Sequence, residues 1–118
     1  MESPPLDLPR LLTLFERASI AYGYLLETTR YACADELLLD VQKLGRAIRD
    51  ASMPEASDLL HLGQTHESVW VRLLAFVELA NPFPQEATAA FSLLAAEEGL
   101  VSPAASLQLH KLSGQLAG

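Results

Sequence analysis

Between His66 and Ala80 the chain reads H-E-S-V-W-V-R-L-L-A-F-V-E-L-A. After a polar first turn, only Arg72 and Glu78 interrupt its apolar surface. A helix at the surface of a globular protein keeps one polar face, whereas a helix apolar on all sides lies between neighbours. This stretch therefore predicts a central helix, and the rest of the chain must supply elements that cover it.

At 118 residues the chain is expected to be one domain, long enough to hide about two-thirds of its unfolded surface. Half its residues are hydrophobic and few are charged, which argues against disorder. Leu and Ala dominate and β-branched residues are sparse, so the covering elements should be helices too. The apolar runs are too short to cross a bilayer and no charged-then-apolar leader opens the chain, so a cytoplasmic protein is expected. Cys33 is the single cysteine, which rules out an internal disulfide. The formal net charge of −7 disfavours nucleic acid and anionic membranes and would steer a basic partner inward. Solubility alone also accounts for such a charge. Beyond Leu62, Arg72 and Lys111 are the only strong cations.

Residues 1–6 read as a disordered lead, with Asp7 as a helix cap and Pro9 tolerated in the first turn. Leu8, Leu11, Leu12, Phe15, Ala18, Tyr22 and Leu25 recur at helical spacing and define a buried stripe. Ile20 and Tyr24 lie off it, one turn apart, and are expected to pack under a neighbouring helix; a contact patch is the alternative. Thr28 and Thr29 mark a break, and either can cap a second helix running to about Ala51. Its inward stripe is Leu37, Leu38, Val41, Leu44 and Ile48, while Asp35, Glu36, Asp40, Lys43, Arg46 and Asp50 suit a solvated face with surface ion pairs. Residues 7–51 should form an antiparallel hairpin.

After Ser52-Met53-Pro54 a short repeat begins. Pro54-Glu55-Ala56-Ser57 is echoed by Gln85-Glu86-Ala87-Thr88, and Val71, Ala75 and Leu79 by Val101, Ala105 and Leu109. Such a period suggests stacked helical hairpins sharing one core, with helices over Glu55 to Leu62, Ser68 to Ala80, Glu86 to Glu98 and Pro103 to Leu112. Asn81-Pro82-Phe83-Pro84 is a stop in which Phe83 plugs the core. Gly99 is expected to cap the fifth helix and Ser102-Pro103 to start the sixth. Gly114 should end it, leaving residues 114–118 as a frayed tail.

Little here carries chemistry. His66-Glu67 lacks the second histidine of a zinc-protease H-E-x-x-H helix, and His61 and His66 have no cysteine near them, so no metal site is expected. Cys33 has neither a companion thiol nor a strong activating group and reads as a buried structural cysteine. The adjacent carboxylates Asp35-Glu36 and Glu97-Glu98 point in different directions on a helix and make poor acid/base couples. There is no phosphate loop, nucleophile elbow or basic-aromatic stripe. The expectation is a protein with no catalytic residue and no cofactor, acting by recognition.

For recognition, Trp70 can serve as an anchor, since tryptophan is enriched in binding hot spots, or as a large core aromatic. Glu67 can support the helix start through the dipole. Arg72 must either snorkel or meet an acid such as Glu78, Glu67 or one from the first hairpin. The candidate partner-binding residues are Tyr24, Asp35, Glu36, Asp40, Glu67 and Trp70.

Val71-Arg72 followed by Ala75 and Leu79, behind a polar turn, is similar to the second helix of HEAT-type repeats, although Thr65-His66-Glu67-Ser68 departs from the usual turn. From about residue 8 to 112 the chain also resembles a small bacterial all-helical family of unknown function. The resemblance rests on a long hairpin, His66, Trp70-Val71-Arg72, Pro84-Gln85-Glu86-Ala87 and Ala105-Ser106-Leu107 with Leu109 nearby. Proteins of this kind look like immunity proteins encoded beside polymorphic toxins of bacterial competition, type VI secretion included. The resemblance implies an all-α chain of about six helices in one right-handed stack, a long hairpin followed by two short HEAT-like hairpins at 54–113. It also implies a monomer that binds and occludes one toxin domain with a basic contact surface. A small HEAT-like scaffold for an endogenous partner is the alternative.

Overall fold

Helix α1 (Leu8–Glu27) and helix α2 (Tyr31–Ser52) are joined by only three residues, a connection short enough to fold the second helix back along the first. Phe15 of α1 lies against Gly45 of α2, where a Cβ would come to 3.2 Å from its ring. The pairing of an early residue with a late one is that of an antiparallel hairpin. The computed structural model describes residues 8–52 and 57–117. Among these the chain continues through α3 (Ser57–Thr65), α4 (Val69–Leu79), α5 (Pro84–Ala95) and α6 (Val101–Ala117), with no strand. The fold is all-α. The lead, the Asp7 cap and the repeat signal at Pro54–Ala56 fall outside the described residues.

The apolar stretch from the sequence is α4, and it touches all five other helices. Seven of its eleven residues are buried: Trp70, Val71, Leu73, Leu74, Ala75, Phe76 and Leu79. Ser68 starts it as an N-cap, its Oγ accepting from the Val71 N–H at 3.4 Å, which satisfies one of the orphan donors of the first turn. Helix α3 packs along α4, and α5 pairs with α6. Val71, Ala75 and Leu79 are fully buried, as are Val101 and Ala105, while Leu109 is half-buried. The two echoed stripes thus both face the core. Phe83 is half-buried against the same core, and Pro84 takes the first helical position of α5, where its missing N–H is not needed.

Several boundaries and placements differ from those expected. Thr28 Oγ1 donates back to Tyr24 O at 2.9 Å, so it finishes α1 rather than capping α2. Thr29 adopts φ 61° in the turn, a left-handed conformation that disfavours a β-branched side chain. Helix α5 stops at Ala95, three residues before Glu98, and Gly99 supplies a positive φ of 89° in the turn beyond it rather than the cap. Ser102 lies inside α6 and donates its Oγ to Ala95 O at 2.6 Å; it ties the two helices together instead of capping. Gly114 does not end α6, which runs on to Ala117.

The inward face of α1 is also shifted. Its deepest residues are Leu11, Phe15, Ser19 and Gly23, an i, i+4 row in which the last two members are small or polar and were invisible to a count of apolar residues. Cys33 is exposed, and so are Ile20 and Tyr24. Cys33 precedes Ala34, and it is Ala34 that points inward. Among the described residues no helix packs closely over Ile20 and Tyr24, which are 49% and 58% exposed.

Candidate interaction surface

The start of α4 is pinned to α1 by three contacts. Gly23 leaves room for the Trp70 ring to lie directly on the α1 backbone, and a Cβ there would overlap it. Trp70 Nε1 donates to Glu27 Oε1 at 3.2 Å, and Tyr22 meets the indole edge-on with ring centroids 5.9 Å apart, a favoured aromatic geometry. One turn earlier, His66 Nδ1 accepts the Ser68 N–H at 2.9 Å while its Nε2 faces Glu16 Oε2 at 3.5 Å. That arrangement puts the imidazole proton on Nε2. Trp70 is 6% exposed. Its indole is a core aromatic with its one donor satisfied, and it presents no anchor to a partner. Tyr22 has its phenol pKa pushed above 10.0, first by burial and then by the carboxylate of Asp35, so Asp35 of α2 lies within electrostatic reach of this cluster.

The other sequence-derived candidates divide. Tyr24, Asp35, Glu36 and Asp40 are all exposed on the α1–α2 hairpin, whereas Glu67 is exposed in the turn before α4. Charge is segregated along α2. Its first half carries Asp35, Glu36 and Asp40, and its second carries Lys43, Arg46 and Arg49 with Asp50. This polarity follows the helix dipole, acids toward the positive N-terminal end and cations toward the C-terminal end. On the same helix as the acids are large apolar side chains that are more than half exposed: Tyr31 is 56% exposed and Leu39 59%, beside 58% for Tyr24 of α1. Tyr31, Asp35 and Leu39 are spaced i, i+4, i+8 and lie on one face of the helix. Sequence reasoning missed Tyr31 and Leu39 because it sorted α2 by its charges. Their position off the inward stripe was the signal that could have found them.

Lower on the hairpin, Arg49 Nη1 pairs with Glu78 Oε1 of α4 at 3.0 Å and Arg49 Nε lies 3.5 Å from Asp50. Glu78 is therefore not the partner of Arg72. Arg72 instead lines an open cleft between α3, α4 and α5, its Nε buried and without a hydrogen-bond partner. Among the described residues no group of three or more His, Cys, Asp or Glu is arranged to hold a metal ion, and no helix is long and apolar enough to cross a membrane. Comparison with protein-family models, with curated proteins and with solved structures returned no match.

Proposed function

We propose that this protein is a non-catalytic binding module, an immunity protein that occludes a cognate bacterial toxin domain. The observation that carries the reading is the outer face of the first hairpin. There Ile20 and Tyr24 of α1 and Tyr31 and Leu39 of α2 are each about half exposed, and α2 also carries the exposed Asp35, Glu36 and Asp40. Tyrosine is enriched in binding hot spots, and surrounding carboxylates raise the association rate with a basic surface and disfavour acidic partners. A net charge of −7 acts in the same sense at longer range. Toxin Lys and Arg side chains, which would otherwise hold an anionic substrate, are the complement such a face fits. Steric cover of the toxin's site then needs no catalytic group on this chain.

Co-expression with the toxin encoded beside the gene should restore growth, and the two proteins should purify together. Failure of both sinks the reading. Tyr24→Ala should cost about 2 kcal/mol of toxin affinity while changing stability by no more than about 0.5 kcal/mol, because the side chain is exposed. Reversing Asp35, Glu36 and Asp40 to Lys should slow association most at low salt. An affinity indifferent to salt and to that reversal would remove the electrostatic part and leave only shape.

A further inference from the structure

A second site lies on the opposite side of α4 from the hairpin contacts just described. Between α3, α4 and α5 is a cleft of about 250 Å³ whose lining includes Gly63, Gln64, Arg72, Phe76, Glu86 and Leu93. Gly63 packs against Phe76 there. The Phe76 ring lies so close that a Cβ on Gly63 would come to 2.5 Å from it. Leu93 is 71% exposed at this cleft, more than any other large hydrophobic residue among those described.

Arg72 is the unusual member. A guanidinium stays charged under all ordinary conditions and offers five donors. Here its Nε is buried and has no hydrogen-bond partner among the described residues. A desolvated cationic donor left without an acceptor is costly. The half-buried Arg72 side chain also borders the cleft, and a carboxylate there matches the planar fork of the guanidinium. Gln64 adds an amide donor at the same cleft. Glu86 also borders it and opposes a dianion more strongly than a monoanion. The apolar walls of Phe76, Leu93 and Leu94 call for a hydrocarbon chain. The volume falls just below the roughly 300–1,000 Å³ of drug-sized sites.

We propose that the α3–α4–α5 cleft is a binding site for a small amphipathic monocarboxylate, its carboxylate on Arg72 and its apolar chain over Phe76 against Leu93. The site is separate from the hairpin face and does not depend on what that face binds.

Decanoate, decanol and inorganic phosphate serve as probes of the whole chain, with affinity from calorimetry and location from amide NMR shifts. Decanoate should bind saturably, with shifts centred on Gly63 and Phe76, and at least tenfold more tightly than decanol; phosphate should not bind. Arg72→Met keeps most of the packing volume and should erase the preference for decanoate over decanol. Ala89→Phe, at an exposed lining position, adds bulk at the cleft while keeping Arg72 itself and should abolish binding of both. Equal affinity for decanoate and decanol in the native protein, no saturable shift at the cleft, or decanoate binding that survives Ala89→Phe would each overturn the proposal.

Discussion

Helices α2 and α4 are both rich in aliphatic residues, yet they are used in opposite ways. In α4 seven of eleven residues are buried and the helix touches every other one. In α2, twice as long, Ala34, Val41, Gly45 and Ile48 are buried, and Tyr31 and Leu39 are left in solvent. The difference teaches where to look for function. Most side chains of α4 are fixed by packing, so even its tryptophan has a structural explanation. The outer face of α2 is less constrained: Tyr31 and Leu39 there are more than half exposed.

The contrast predicts the largest loss at Trp70. Trp70→Ala should destabilise the fold by about 3–5 kcal/mol, because it empties the contact with Gly23 and Tyr22 and frees Glu27. Urea unfolding followed by circular dichroism measures it. A loss below about 1 kcal/mol would mean that the indole is not packed as described and would return Trp70 to the surface candidates.

A smaller loss is expected from the other side of the same contact. Gly23→Ala adds a methyl group where the indole already lies. Alanine gains about 0.5–1 kcal/mol in helix preference over glycine, but overpacking costs typically about 1–3 kcal/mol, so the variant should be less stable on balance. Combined with Trp70→Ala, the same substitution should become stabilising, since the overlap is gone. A Gly23→Ala variant more stable than the parent would show that α1 and α4 separate easily at this end.

That pair also marks the limit of what the sequence made legible. The all-helical class and the central place of α4 could be read from composition and apolar spacing, since they rest on large side chains at helical period. The contact of Trp70 with α1 could not. It depends on Gly23, which has no hydropathy signal, and on Glu27, forty-three residues away. Helix ends were misplaced at Ser102 and Gly114 for a related reason: residues with strong boundary preference sit inside α6, where tertiary contact decides. The surface of α2 was read as charge, so Asp35, Glu36 and Asp40 were singled out and the exposed Leu39 between them was not. Arg72 was recognised as out of place, but only the fold reveals that Arg49 has taken Glu78 and left Arg72 in the cleft.

The smallest effect concerns that displaced pair, and its sign separates two accounts of how α2 is held to α4. Burial raises the pKa of Glu78 above its ordinary 4.5, and the nearby Arg49 and Arg46 only partly offset this. The folded protein therefore binds a proton at Glu78 more readily than the unfolded chain does. Stability linked to this group is fully present below the unfolded value and is lost as pH rises through the folded one. Glu78→Gln removes the titration while keeping the shape. At pH 7 the variant should differ from the parent by no more than about 1 kcal/mol, because desolvation and ion pairing nearly cancel. As pH falls toward 4.5 the parent should gain on the variant in paired urea midpoints. If the contact with Arg49 at 3.0 Å outweighed desolvation, the parent would instead lose its advantage on acidification. Helix α2 would then be fastened to the core by charge rather than by the apolar stripe of Val41 and Ile48.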